Sequence, residues 1–179
     1  SAIFFDDVTL AIYPNITIST PDIASTNLEV TDISGGAKVT LTKGNGNGRI
    51  ILIRESSDNS ALPVNGNFYS ANSAFGEGDN VGDNWVVMRS NDEALTIKNL
   101  APETEYVVSV FEYFSNGSDL FYMSTGPSKT FTTRLQQTIT FENTENLAVG
   151  NENNVVTASA SSGLEVTLEI LAGAGETEG

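Results

Sequence analysis

The chain has 179 residues, enough to bury one substantial core, and its 16 Gly and only 17% charged residues suit strands and turns rather than long helices. Eight Lys and Arg stand against 23 Asp and Glu, a formal charge of -15, which removes the positive footprint that nucleic-acid backbones and anionic lipid surfaces require and leaves neutral glycans, cationic partners and divalent cations. Without His or Cys there is no His/Cys zinc site, no Cys or Ser-His nucleophile and no disulfide, and no apolar run reaches the roughly 18 residues of a spanning helix.

The chain begins at Ser1 directly in a strand-like run, Ile3–Ile12. That start is read as a processed leader or as an excerpt of a longer protein. Within the run, Asp6 and Asp7 are adjacent, so a strand points them to opposite faces and they cannot chelate one ion together. Pro14 and a polar link follow. Strict apolar/polar alternation then marks Thr26–Ile33 and Ala37–Thr42 as half-buried strands. Gly44–Gly48 leads into Arg49–Arg54, a uniformly apolar run that suits a central strand. A phosphate-binding loop would lead into a helix, so this glycine run is read as a β-turn.

Ser56–Asn84 is about thirty residues rich in Asn, Gly, Asp and Ser, long for a sandwich connection. Phe68, Tyr69, Phe75 and then Trp85 punctuate it. Two readings stand: the aromatics pin the loop to the domain as a small core, or they form stacking platforms for a glycan. In the segment GDNVGDN, Asp79 and Asp83, with Asn80 and Asn84, offer the oxygens calcium prefers, though without EF-hand spacing. Solvated turn acids look the same.

Trp85–Arg89, Ala94–Leu100, Tyr106–Phe114 and Tyr122–Met123 with Thr130–Thr133 complete seven candidate strands between about residues 18 and 134, enough for a two-sheet sandwich. Between two of them, Leu100 ends one strand, Pro102 turns the chain, and Tyr106 starts the next. In a sandwich, a tyrosine there bonds its hydroxyl back to the corner backbone, the arrangement called a tyrosine corner; the alternative is an ordinary core tyrosine. Asn15-Ile16-Thr17 and Asn116-Gly117-Ser118 fit the glycosylation acceptor pattern. Gln137–Phe141, Val155–Ala160 and Leu164–Leu171 are the last strands. Residues 135–179 hold seven Glu and no basic residue. The expected organisation is a terminal strand and link over 1–17, a sandwich over 18–134, and a partial β domain over 135–179.

The residues Leu100, Pro102, Thr104, Tyr106, Val108 and Val110 follow an L-x-P-x-T-x-Y-x-V-x-V pattern that resembles fibronectin type III domains. Around it, GNGNGRII at 44–51, LPVNGNFY at 62–69, FGEGD at 75–79 and WVV at 85–87 occur in order. This ordered set is similar to fibronectin-type-III-like modules of large secreted or surface proteins of Bacteroidetes, over roughly residues 22–134. The chain departs from the pattern at Leu41, where such domains keep a core Trp; Trp85 is the nearest substitute. At the ends, AIFFDDVTL at 2–10 resembles the closing strand of jelly-roll domains. QTITF at 137–141 with ASASSGLEVT at 158–167 resembles the opening half of bacterial immunoglobulin-like repeats.

The fold expected is therefore all-β: a fibronectin type III/immunoglobulin-like β-sandwich with a long inserted loop, flanked by partial β domains. The resemblance carries no catalytic residue, and no carboxylate pair is singled out for glycosidase chemistry. The function expected is a noncatalytic structural or adhesive module, extracellular or at the cell surface. Its partners would be other domains or copies of the same protein, surface proteins or glycans, with no nucleic acid and no membrane insertion. Strand Ile3–Ile12 of one copy would complete the partial sheet of another and build a filament. The rival expectation is a carbohydrate-binding accessory module of a secreted polysaccharide-degrading enzyme. Calcium is the only cofactor candidate.

Overall fold

The computed structural model describes residues 19–135, 137–142 and 156–168. Eleven strands account for all of their regular structure: β1 (Thr26–Ile33), β2 (Gly36–Thr42), β3 (Gly48–Glu55), β4 (Asn80–Val81), β5 (Asn84–Ser90), β6 (Ala94–Lys98), β7 (Glu105–Ser115), β8 (Leu120–Tyr122), β9 (Ser128–Thr132), β10 (Ile139–Glu142) and β11 (Thr157–Ala160). One sheet runs β1-β2-β6 and a larger one β4-β5-β3-β7-β8, with β9 also paired to β7. Every ladder is antiparallel. This is the expected all-β sandwich of two antiparallel sheets. The strands β10 and β11 form their own two-stranded ladder.

The inner faces of the two sheets meet in one core. Leu28, Val39 and Ile97 come from the smaller sheet, and Ile51, Ile53, Val87, Val108 and Val110 from the larger. Leu41 is buried in this core, and half-buried Trp85 packs against the core from β5. The sequence places the central strand correctly for a reason specific to this chain. The larger sheet carries a second apolar cluster on its outer face, of Ile50, Leu52, Val81, Val86, Phe111, Tyr113, Leu120 and Tyr122, covered by Ala61 and Tyr69 of the long insertion. Both faces of β3 are thus dry, and alternation is lost.

The insertion also guards strand edges. Lys98 N donates to Ser73 O at 2.8 Å and Phe75 N to Lys98 O at 2.9 Å, capping β6 of the smaller sheet. Asn72 N donates to Val86 O at 3.1 Å and Val86 N to Asp79 O at 2.9 Å, capping β5 of the larger. One loop therefore bonds both sheets through its backbone. Farther along, Gly66 N donates to Leu120 O at 2.9 Å, and Tyr122 N to Asn65 Oδ1 at 2.8 Å, on the free side of β8. Exposed edges recruit foreign strands, and this loop covers part of three of them.

Some boundaries differ from expectation. Tyr122–Met123 and Thr130–Thr133 belong to two strands, because the eleven residues of β7 pair with β8 at one end and β9 at the other. The strand expected at Leu164–Leu171 is not formed where it is described. Residues 164–168 follow a turn at Gly163 (φ 73°) and find no strand partner among the described residues, with Leu164 and Leu168 exposed. Alternation without a ladder does not make a strand. The expectations for residues 1–17, including Ile3–Ile12, Asp6, Asp7 and the Asn15 acceptor, lie outside the described residues.

Candidate functional site

Two polar clusters hold the chain where it enters and leaves the sandwich. They occupy the segments that the sequence makes most distinctive. At the incoming side, Arg49 and Glu112 are directly paired across β3 and β7. Each stands at the end of an inward apolar stripe, Ile51 and Ile53 on one strand and Val108 and Val110 on the other. Arg49 Nε donates to Glu112 Oε1 at 3.1 Å, and both side chains are fully buried.

Such a pair is costly to bury unless its other polar atoms find partners. Arg49 Nη1 donates to Asp92 O at 2.6 Å and Nη2 to Asn91 Oδ1 at 3.1 Å. Glu112 Oε1 also accepts from Gly44 N at 3.0 Å and from the Ser25 hydroxyl, while Oε2 is buried without a partner among the described residues. Ser25 is the last residue before β1, so the buried carboxylate grips the incoming chain itself. Asn45 adds a second grip: its Oδ1 accepts from Ile23 N at 3.0 Å, its N donates to Ile23 O at 3.2 Å, and its Nδ2 donates to Asp22 Oδ1 at 2.6 Å.

The glycines of the run are required by crowding. A Cβ on Gly46 would stand 2.6 Å from Glu112 Oε2 and 2.7 Å from Tyr113 O, and one on Gly44 would run into the Ile23 carbonyl. The run is a turn between strands, as its sequence context implies. Its purpose is to let backbone close over a buried carboxylate.

At the outgoing side the corner motif does the equivalent work. Ala101 N donates to Tyr106 Oη at 3.0 Å. Tyr106 is buried, with its ring against Phe75 (5.2 Å, edge-on) and Phe131 (5.9 Å, stacked). Burial raises its pKa above 10.0, an effect partly opposed by the bond from Ala101. Leu100 is buried beneath the corner, while Pro102 is exposed at its tip. Thr133, just after β9, joins the corner to the departing chain. Its hydroxyl donates to Ala101 O at 2.6 Å and accepts from Thr104 N at 3.0 Å, and Glu103 N donates to Thr133 O at 3.0 Å. Asn99 and Glu103 take positive φ values of 60° and 52° around this corner; at Glu103 the bond from its N–H to Thr133 O holds that strained geometry in place. Arg134 Nε then reaches Asp32 Oδ2 at 2.7 Å.

The four aromatic residues of the glycan expectation do not converge. Phe75 and Trp85 meet edge-on at 6.3 Å and face the inter-sheet core. Tyr69 lies on the opposite face of the larger sheet, 6.1 Å from Tyr122. Phe68 is on that outer side too, with its ring 43% exposed and Arg89 Cζ 5.2 Å from its centroid.

The calcium candidates lie in a hairpin, β4–β5, that turns through Gly82 and Asp83. Asp79 Oδ2 accepts from Ser70 N at 2.7 Å, and Asp83 Oδ2 from Asn59 N at 3.2 Å and Asn59 Nδ2 at 3.1 Å. Asn84 is buried and donates to Val81 O. Asn80 is exposed. No group of three acidic side chains among the described residues could together hold a metal ion.

Sequence reading missed Ser25, Arg49, Glu112 and Thr133. A signal existed for the ion pair: one base and one acid interrupt otherwise apolar inward stripes. None existed for Ser25 or Thr133, whose partners are distant in sequence.

No protein-family model matches the chain, and no curated protein matches it significantly. Among solved structures, the chain is similar to a fibronectin type III domain of human collagen XX, at 19% identity and a TM-score of 0.40, covering 64% of this chain and 95% of that one. It is also similar to a β-sandwich protein from a computer-based redesign, at 22% identity and a TM-score of 0.40, covering 66% of this chain and 95% of that one.

Proposed function

We propose that the chain is a noncatalytic structural module, a spacer or adhesin segment of an extracellular or cell-surface protein. One observation carries this reading: the chain enters the sandwich beside Glu112, near the end of β7, and leaves it beside Glu105, at the start of β7, with a clamp at each place. A sandwich threaded from pole to pole passes position and direction from one neighbour to the next, which is what a spacer needs. The acidic balance discourages copies from sticking to one another. Native-state hydrogen exchange tests it. The amides of Asn45 and Thr133 should exchange as slowly as those of β3; exchange at the rate of frayed ends would contradict the reading.

A second feature supports assembly by strand exchange. Ile139 lies opposite Ala160 and Phe141 opposite Ala158, so these four share one face of the β10–β11 ladder. Ile139 is 51% exposed and Phe141 55%. An added strand such as Ile3–Ile12 of a neighbouring copy would pair with this ladder and help cover its apolar face. Because donor and acceptor are different surfaces, repetition gives a filament. Gel filtration and electron microscopy of the chain should reveal concentration-dependent polymers; a strictly monomeric species at all concentrations would overturn strand exchange and leave the spacer reading intact.

A further inference from the structure

Arg89 is a cation that neither clamp uses. It projects from β5 on the outer side of the larger sheet, with Cζ 5.2 Å from the ring centre of Phe68 and 5.9 Å from that of Tyr113. Among the described residues its one side-chain hydrogen bond runs from Nη1 to Tyr69 O at 3.2 Å, its Nε is buried without a partner, and no carboxylate lies within ion-pair distance. In a chain with 23 acids and eight bases, an unpaired guanidinium between two rings braces aromatic surface. The residue it braces most closely, Phe68, is itself 43% exposed, just after a turn (Asn67 N to Val64 O, 3.1 Å) whose Val64 is 57% exposed. Asn67 sits next to it, with its amide nitrogen donating to Tyr69 Oη at 3.3 Å.

We propose that Phe68 is a stacking platform for a neutral saccharide, with the Asn67 side chain at its rim bonding the hydroxyls. Arg89 is a positioning residue that holds the ring from behind. An apolar sugar face against an exposed aromatic, with a few polar groups fixing orientation, is the ordinary chemistry of such sites. The protein's negative charge selects against acidic polysaccharides. The bracing matters because a ring fixed before binding loses less freedom when the ligand arrives. The site is independent of the spacer reading, since it lies on the side of the sandwich and shares no hydrogen bond with either clamp.

Affinity electrophoresis of the whole chain through gels containing β-glucan, xylan, galactomannan or starch, with alginate as the acidic control, tests the proposal. Retardation is expected in at least one neutral gel and not in alginate. Phe68→Ala should weaken it roughly tenfold, and Phe68→Trp should retain it. Arg89→Lys, which keeps the cation behind the ring, should bind better than Arg89→Gln, with unchanged far-ultraviolet circular dichroism showing that each variant is folded. No retardation in any neutral gel, retardation in alginate alone, or retardation that Phe68→Ala leaves untouched would each overturn it.

Discussion

Arg49 and Glu112 stand opposite one another in the β3–β7 ladder and meet through Nε and Oε1 at 3.1 Å, with neither side chain reaching solvent. Desolvation offsets much of what such a pair gains by attraction, so its value lies in what else it holds. Here that is the incoming chain at Ser25 and the turn at Gly44.

Removing one partner strands the other charge in the core. Glu112→Ala should therefore destabilise the fold by about 3–5 kcal/mol in urea unfolding. The double change Arg49→Met with Glu112→Leu should recover most of that loss, while leaving Ser25 and Gly44 without their acceptor. A cost below about 1 kcal/mol for Glu112→Ala would show that the carboxylate is not buried as described.

The outgoing clamp makes a parallel prediction. Thr133→Val keeps the shape but removes the hydroxyl that bonds Ala101 and Thr104, and should cost about 1–2 kcal/mol. Tyr106→Phe keeps the contacts with Phe75 and Phe131 and should cost about 1 kcal/mol. Both changes act on Ala101, so the double variant should lose less than the sum of the two. Strict additivity would mean that corner and departing chain are not coupled.

Three tyrosines set the alkaline limit. Burial raises the pKa of Tyr106, Tyr113 and Tyr122 above the ordinary 10.0. In the unfolded chain they ionise near pH 10, about where the folded protein still keeps them neutral. The unfolded state therefore loses protons first, and the stability these groups contribute, complete below about pH 10, declines as the pH rises further. Tyrosinate absorbance from these three should appear together with loss of circular dichroism. Their ionisation near pH 10 in a chain that stays folded would contradict the burial.

Much of this was legible in the sequence, and particular residues show why. Thr26–Ile33 alternates because only one of its faces meets the core, and Arg49–Arg54 does not because the insertion dries both faces of β3. The corner residues Leu100 and Tyr106 were readable because their partners lie within a few positions. The clamps were not, since Ser25 and Glu112 are 87 residues apart and only the folded register joins them. Of the two readings open for the aromatics, Phe75 and Trp85 follow the pinning one for a physical reason: they sit in or next to a polar-looking segment, yet its backbone bonds to β5 and β6 hold it against the core.

The acidic hairpin is open to a direct comparison. Asp79 and Asp83 each bond a backbone amide of the insertion, so Asp79→Asn should lower stability by about 1 kcal/mol whether or not calcium is present. Thermal melts of both proteins with and without millimolar calcium measure this. A rise in Tm that calcium gives to the parent chain and not to Asp79→Asn with Asp83→Asn would instead assign the ion to this hairpin.

The spacer reading turns on where the chain enters and leaves. The protein lacks cysteine, so Ile23→Cys, which engages the incoming clamp through its backbone only, and Leu135→Cys, both at exposed positions, accept spin labels at two sites alone. Pulsed electron resonance should give one narrow distance peak at roughly 30–40 Å, the span of a strand as long as β7. A broad distribution, or a peak well below that range, would mean that the chain is not held at opposite poles and would contradict the account.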